Sequence, residues 1–229
     1  MAPLALLYDV HGNLAALGAV LDDARAQGAA RFLLGGDYAL FGPWPQETVA
    51  VLRELPEATW IRGNGERWTA SPGQAPDDPV VQGAIAACRE SLGSEAVSEL
   101  AGLPESAADA GVLYCHGSPP SDVRSFMPEP AQDEAELLEG VVARRLVFGH
   151  THLPFRRVAA GGVELVNPGS VGMPFDDDPR AAYALVADNG EVEHRRVSYD
   201  HLGAAAAVRE RFAGDWPRTV GRRIERAVF

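Results

Sequence analysis

Five short apolar runs, at 4–8, 31–34, 58–61, 111–115 and 145–149, each lead into a Gly, Asp, Asn or His. Runs of this length, rich in Leu, Val, Phe and Tyr, read as buried strands whose ends carry function. Between the first two lies Asn13 to Gly28, with Leu14, Leu17, Val20 and Leu21 at helical spacing, Asn13 as a cap and Gly28 to close the helix. That is a strand-helix-strand unit. Pro45 to Leu55, with Pro at its start and Pro56 beyond its end, predicts a second helix before the third strand. The first half is therefore expected to wind into an α/β sheet.

From Val163 onward the spacing changes. Val163 to Val166, Ala182 to Val186 and Val192 to Val197 read as strands separated by turn signals, of which Asp188-Asn189-Gly190 is the strongest. These strands predict a second, mostly antiparallel sheet packed on the first in a layered sandwich. The stretch 66–110 holds Pro72, Pro76 and Pro79 and two helical segments near 80–92 and 94–102. It offers no candidate ligand and is expected to be a helical cap or insertion beside the site. Residues 204–229 read as a C-terminal helical segment with its arginines on a solvated face. All of 1–229 is expected to form one domain, since 229 residues with 46% hydrophobic content can bury a sizeable core.

Composition removes several classes of chemistry. All 20 basic residues are arginine, so a Walker-type phosphate loop, a Schiff-base lysine and a lysine general base are excluded. A net charge of −12 opposes binding to long nucleic acid, which needs a basic face, while small phosphorylated substrates remain compatible if bound dications make the local field positive. Two distant cysteines, Cys88 and Cys115, give neither a disulfide framework nor a thiolate zinc site. No signal-like leader and no run of the roughly 20 apolar residues a membrane span requires are present, so a cytoplasmic protein without membrane contact is expected.

The polar residues after the runs are Asp9-Val10-His11, Gly36-Asp37, Gly63-Asn64, His116-Gly117 and Gly149-His150-Thr151-His152. Each alone has a plain structural explanation as a turn, a cap or a core histidine. Together they supply seven nitrogen or oxygen donors, Asp9, His11, Asp37, Asn64, His116, His150 and His152, in the order a two-metal site requires. A carboxylate suits the bridging position because it has two oxygens and cancels charge, and Asp37 in its glycine-flanked turn fits. Asp9 and His11, two residues apart in an extended strand, are expected to face the same side, and His150 and His152 to repeat that geometry. Mixed oxygen and imidazole donors suit Mn, Fe, Zn, Co or Ni better than Ca or Mg.

This set of motifs resembles the calcineurin-like metallophosphoesterase superfamily, over about residues 4 to 200. The resemblance implies a four-layer α/β/β/α sandwich and two divalent transition-metal ions, with manganese the first choice. Asp9, His11, Asp37 and His152 would hold one metal, and Asp37, Asn64, His116 and His150 the other. Asn167-Pro168-Gly169-Ser170 with Val171-Gly172, followed by Asp178-Pro179-Arg180, is similar to the small prokaryotic branch that includes the YfcE-type phosphodiesterases. That stretch is expected to shape a loop.

The departures matter as much. Many members have His directly after the Gly-Asn pair as proton donor, and here that position is Gly65. The protein-phosphatase pattern Gly-Asp-Tyr-Val-Asp-Arg-Gly has its Asp and Arg replaced by Leu40 and Phe41. An ordinary protein serine/threonine phosphatase is disfavoured. Glu66 matches the acidic residue that follows the missing His and is expected to orient the Asn64 loop. Arg62 is a candidate phosphate contact or, equally, a structural ion pair. The expected activity is hydrolysis of small phosphodiesters or nucleotides by a hydroxide held between the metals, fastest for good leaving groups. A phosphomonoesterase, a dinucleoside polyphosphate hydrolase and a non-catalytic scaffold like the superfamily's retromer subunit are the alternatives.

Overall fold

A computed structural model describes residues 2–229. Strand β1 (Leu4–Leu7) sends Ala5 and Leu7 into a cluster shared with helices, while Leu6 and the following Tyr8 enter a cluster shared with a second sheet. This is why its run is apolar without alternation. Each such fully buried side chain contributes about 1.5–3 kcal/mol relative to exposure.

Strands β2 (Arg31–Leu34) and β3 (Ala58–Trp60) continue parallel to β1, in register Leu7↔Leu34↔Trp60. Strands β4 (Ser106–Asp109), β5 (Val112–Cys115), β6 (Arg145–Val147), β7 (Phe155–Val158) and β8 (Glu164–Asn167) form the second sheet in the order β4-β5-β6-β8-β7, parallel across its centre and antiparallel at both edges. Strands β9 (Ala181–Val186) and β10 (Val192–Val197) return to the first sheet, whose order is β10-β9-β1-β2-β3.

This corrects the expected sheet assignment. The C-terminal hairpin does not build a second sheet: β9 lies between β10 and β1, and its burial on both faces follows from that position. The second sheet is instead parallel at its core. Strands β4 and β7 gave no sequence signal because they are edge strands, Ser-Ala-Ala-Asp and Phe-Arg-Arg-Val, with largely exposed side chains.

The first sheet carries the heavier helical layer. Helix α1 (Leu14–Ala26) starts where Asn13 Oδ1 accepts from the Ala16 amide, and α2 (Pro45–Arg53) has Pro at its first position. Helix α3 (Asn64–Ala70) follows β3, and α4 (Pro79–Ala101) is broken at Gly93, whose φ of 76° divides the two helical segments expected there. Ala84, Ile85, Cys88 and Leu100 of α4 lie in the main core with Leu52 and Leu40. The segment 66–110 is thus part of the outer layer, and its end is β4 of the second sheet, so it is not a separate cap. Helices α6 (His201–Arg211) and α7 (Trp216–Arg226) bury Val208, Trp216, Val220 and Ile224 in the same core.

The second sheet is covered more thinly, by the single-turn α5 (Glu134–Leu137) and by Phe126, which pack on Phe148 and Leu165. Two mixed sheets flanked by helices make the expected α/β/β/α sandwich, with a reduced fourth layer. No helix among the described residues is long and apolar enough to cross a membrane.

Candidate metal centre

All seven candidate donors sit just beyond the carboxyl ends of parallel strands: Asp9 after β1, Asp37 after β2, Asn64 after β3, His116 after β5, and His150 and His152 after β6, with His11 on the same turn as Asp9. Stacking the two sheets brings these ends together. Six of the seven are buried, and His150 is half-buried.

The backbone there is not extended. Asp9, His11, Asp37, His150 and His152 have φ of 54°, 49°, 56°, 67° and 60°, the left-handed region that non-glycine residues avoid. Each such residue costs on the order of 1–3 kcal/mol and persists only where its surroundings hold it. They are held. The His11 and Gly12 amides donate to the Asp37 and Tyr38 carbonyls, both at 2.8 Å, and the Gly172 amide donates to the Asp9 carbonyl at 3.0 Å. Ser170 Oγ donates to the same Asp9 carbonyl at 2.7 Å, so the Asn167–Gly172 stretch shapes the Asp9 loop as expected.

The motif glycines serve close approach. A Cβ on Gly63 would lie 2.2 Å from Asp37 Oδ1, and one on Gly149 would lie 2.5 Å from Asp9 Oδ2. The left-handed turns also overturn the alternation argument for the histidine pairs. His152 Nε2 stands 3.0 Å from His11 Nε2, whereas His150 turns its Nδ1 to Asn64 and stacks edge-on with His116. The two histidines of the Gly-His-Thr-His motif therefore serve opposite halves of the centre.

Three rings are locked in one tautomer. Nδ1 of His11, His116 and His152 faces the carbonyl oxygens of Leu40, Gly35 and Met173 respectively. A carbonyl can only accept, so each Nδ1 carries the proton and each Nε2 presents a lone pair. Two bare nitrogens 3.0 Å apart, His11 and His152, repel unless a cation lies between or beside them. Asp9 Oδ1 sharpens the point: it is fully buried, has no hydrogen-bond partner, and lies 3.5 Å from His152 Nε2, 3.8 Å from His116 Nε2 and 4.0 Å from His11 Nε2. Asp37 directs Oδ1 at His116 Nε2, 3.4 Å away, and Oδ2 at His11 Nε2, 3.9 Å away.

Two groups emerge, Asp9 with His11 and His152, and Asp9 with Asp37 and His116. Asn64 and His150 stand beside the second group, where one side-chain amide atom of Asn64 lies 2.9 Å from His116 Nε2 and 2.8 Å from His150 Nδ1. Carboxylate oxygens and imidazole nitrogens in this arrangement fit divalent transition metals.

Glu66 does more than the sequence suggested. Buried within α3, its Oε2 accepts from the amides of Asp37 at 2.9 Å and Gly63 at 2.8 Å, and its Oε1 accepts from Tyr38 at 2.8 Å. One carboxylate therefore fixes both the Asp37 and the Asn64 loops. In Glu66→Gln an amide group must face a backbone donor, so metal affinity or turnover falls about 10- to 100-fold. Unchanged metal affinity and turnover in this variant would remove Glu66 from the account.

Burial lifts Asp37 to about 7, with Glu66 and Asp9 adding to the rise. Burial opposes charge on His116, but Asp37 and Asp9 outweigh it and raise the imidazole above its usual value. Burial pushes His11 down to about 3 and His150 to about 4. Near neutrality the metal-free centre thus holds a proton on Asp37 about half the time, and a divalent ion must expel it. Below about pH 7 the metal affinity falls about tenfold per pH unit for each proton displaced. Titration calorimetry with Mn at pH 6 and pH 8 measures this; equal affinities contradict it.

Arg62 is not aimed at these donors. Its guanidinium donates to Glu105 and, at 3.2 Å, to the Ala101 carbonyl that ends α4. Among residues the sequence did not flag, Phe175 stacks flat on His152, with ring centroids 4.4 Å apart. Nothing in its local sequence announces that contact.

The sandwich and its buried donor set define a metal-binding α/β protein. Residues 3–190 match the calcineurin-like phosphoesterase superfamily domain, and the chain belongs to that superfamily. It is a metal-dependent phosphoesterase, a hydrolase of phosphoric esters. The metallophosphoesterase from Sphaerobacter thermophilus is similar throughout, at 28% identity with 99% of each chain covered and a TM-score of 0.82. The protein MJ0912 of Methanocaldococcus jannaschii is 27% identical over 237 residues, covering 93% of this chain and 94% of that one. YfcE, a phosphoesterase from E. coli, shares the fold, with 21% identity, a TM-score of 0.50, and 86% of this chain and 100% of YfcE covered.

Proposed function

We propose that the protein is a two-metal phosphodiesterase acting on small phosphodiesters or nucleotides, with manganese in its centre. The observation that carries this reading is the buried, unpartnered Asp9 Oδ1 facing Nε2 of His11, His116 and His152. Asp9, His11, Asp37 and His152 would hold one ion, and Asp37, Asn64, His116 and His150 the other. The ions would supply an activated water and neutralise charge developing on the phosphoryl oxygens.

The chain's own residues set the rest. Carbonyls hold three imidazoles in the ligating tautomer, and Glu66 fixes the two loops that carry Asp37 and Asn64. With Gly65 where a proton-donating His would stand, the leaving oxygen takes its proton from water or leaves unprotonated. A His side chain could not simply be added, because a Cβ at Gly65 would lie 2.9 Å from Asp37 Oδ1. Good leaving groups are therefore favoured. The filled donor set speaks against a scaffold without turnover.

The test is hydrolysis of bis(p-nitrophenyl) phosphate against p-nitrophenyl phosphate by the Mn-loaded protein, with Asp37→Asn as control. Faster diester cleavage that disappears in the variant supports the reading. Faster monoester cleavage assigns a phosphomonoesterase instead.

A further inference from the structure

A cleft of about 350 Å³ opens beside His116, lined by Arg62, Arg67, Glu105, Ser118 and Asp122. Its two arginines differ in what they are free to do. Arg62 is turned to Glu105 and to the end of α4. Arg67 lies one helical turn beyond Asn64 on α3, which puts it on the side of the helix that carries a candidate ligand.

Arg67 Nε and Nη2 donate to the two oxygens of Asp122, both at 2.6 Å, a side-on pair that fixes the plane of the guanidinium. Nη1 donates to the exposed Gln74 at 3.1 Å. Of the five N–H groups of a guanidinium, these bonds leave two on the terminal fork. The backing is itself rigid. Asp122 sits in a turn where the Ser118 amide donates to the Ser121 carbonyl at 2.7 Å and Ser121 Oγ accepts from the Arg124 amide at 3.0 Å. Hydrogen bonding to Asp122 leads the influences that keep Arg67 charged, and Asp37 of the metal centre adds to it.

An arginine braced by a carboxylate, with two N–H groups of its terminal fork left to donate, beside the metal ligands and in a cleft large enough for part of a ligand, is built to receive an anion. We infer that Arg67, braced by Asp122, grips a second anionic group of the substrate, so that the substrate class is a phosphate ester carrying another phosphoryl group, as in a nucleoside diphosphate. The inference rests on the phosphoesterase reading: the metals would hold the phosphoryl group that reacts, and Arg67 the one beside it. Esters with uncharged tails forgo this contact.

Calorimetric binding to the Mn-loaded protein separates the two anion positions, with orthophosphate reporting the metal centre alone and methylenediphosphonate reporting both. In Arg67→Ala, methylenediphosphonate binding weakens about 10- to 100-fold while orthophosphate binding changes less than about twofold. Arg67→Lys keeps the charge and the helix but loses the side-on pair, and should fall between. Equal methylenediphosphonate affinity in wild type and Arg67→Ala overturns the inference. So does an equal loss for both ligands, which would place Arg67 in loop positioning. If the phosphoesterase reading itself is wrong, the Mn-loaded wild type binds neither ligand, and the inference falls with it.

Discussion

Asp9→Asn is expected to lower metal-dependent turnover on the order of 10³-fold or more while leaving the chain folded. Asp9 is completely buried, its Oδ2 accepts the His150 amide at 3.0 Å, and its Oδ1 faces Nε2 of His11, His116 and His152. In the variant, the amide oxygen must keep the His150 bond, since the NH2 group cannot accept it. The NH2 group is then directed at the bare Nε2 atoms of His11 and His152, where it donates a hydrogen bond and excludes a cation. The metal-free variant should consequently melt no lower than the metal-free wild type, because a buried charge facing lone pairs has been replaced by a neutral donor. Loss of turnover together with retained stability separates a ligand from a folding residue. Turnover within tenfold of wild type would remove Asp9 from the centre.

Removing the metals should have the second largest effect, this time on stability. The centre gathers two buried carboxylates and four imidazoles, and five of these six residues have left-handed backbone. Nothing among the described side chains neutralises Asp9 Oδ1 by hydrogen bonding. Each ion present at about a thousand times its dissociation constant contributes about 4 kcal/mol to the folded state. For a chain of this size each kcal/mol moves the melting midpoint by about 2–4 °C, so chelation lowers it on the order of 10 °C for each ion removed. Scanning calorimetry with and without a chelator measures the shift, and Asp9→Asn should be nearly blind to it. A midpoint that ignores the chelator in the wild type contradicts metal binding at this site.

How much of this was legible in the sequence depended on range. The apolar runs at β1, β2, β5 and β6 declared themselves because those strands are covered on both faces, the run at 58–61 announced β3 although it is an edge strand with Thr59 exposed, and the donors were readable because each follows such a run. Helix α1 was legible from its Asn13 cap and closing glycine. Which sheet a strand joins was not: β9 and β10 form the hairpin that Asp188-Asn189-Gly190 announces, yet nothing local states that Leu4 pairs with Val186. Edge strands β4 and β7 lacked an apolar pattern altogether.

The structure brings the seven donors into one neighbourhood, though not by the local geometry their spacing implies. Two-residue spacing in His150 and His152 suggested one face of a strand, whereas left-handed backbone at both sends them to different partners. Period-two reasoning holds only while the chain stays extended. Arg62 and Arg67 show the same limit: both flank the Gly-Asn motif, and only the positions of Glu105 and Asp122 distinguish them.

The central claim, two ions acting together, is tested most directly by a graded metal titration. Chelator-stripped protein receives Mn in steps, with bound metal measured by elemental analysis and hydrolysis of bis(p-nitrophenyl) phosphate measured at each step. Turnover is expected to stay low through the first bound equivalent and to rise with the second. Full turnover at one bound ion, or none with two bound, would contradict the claim.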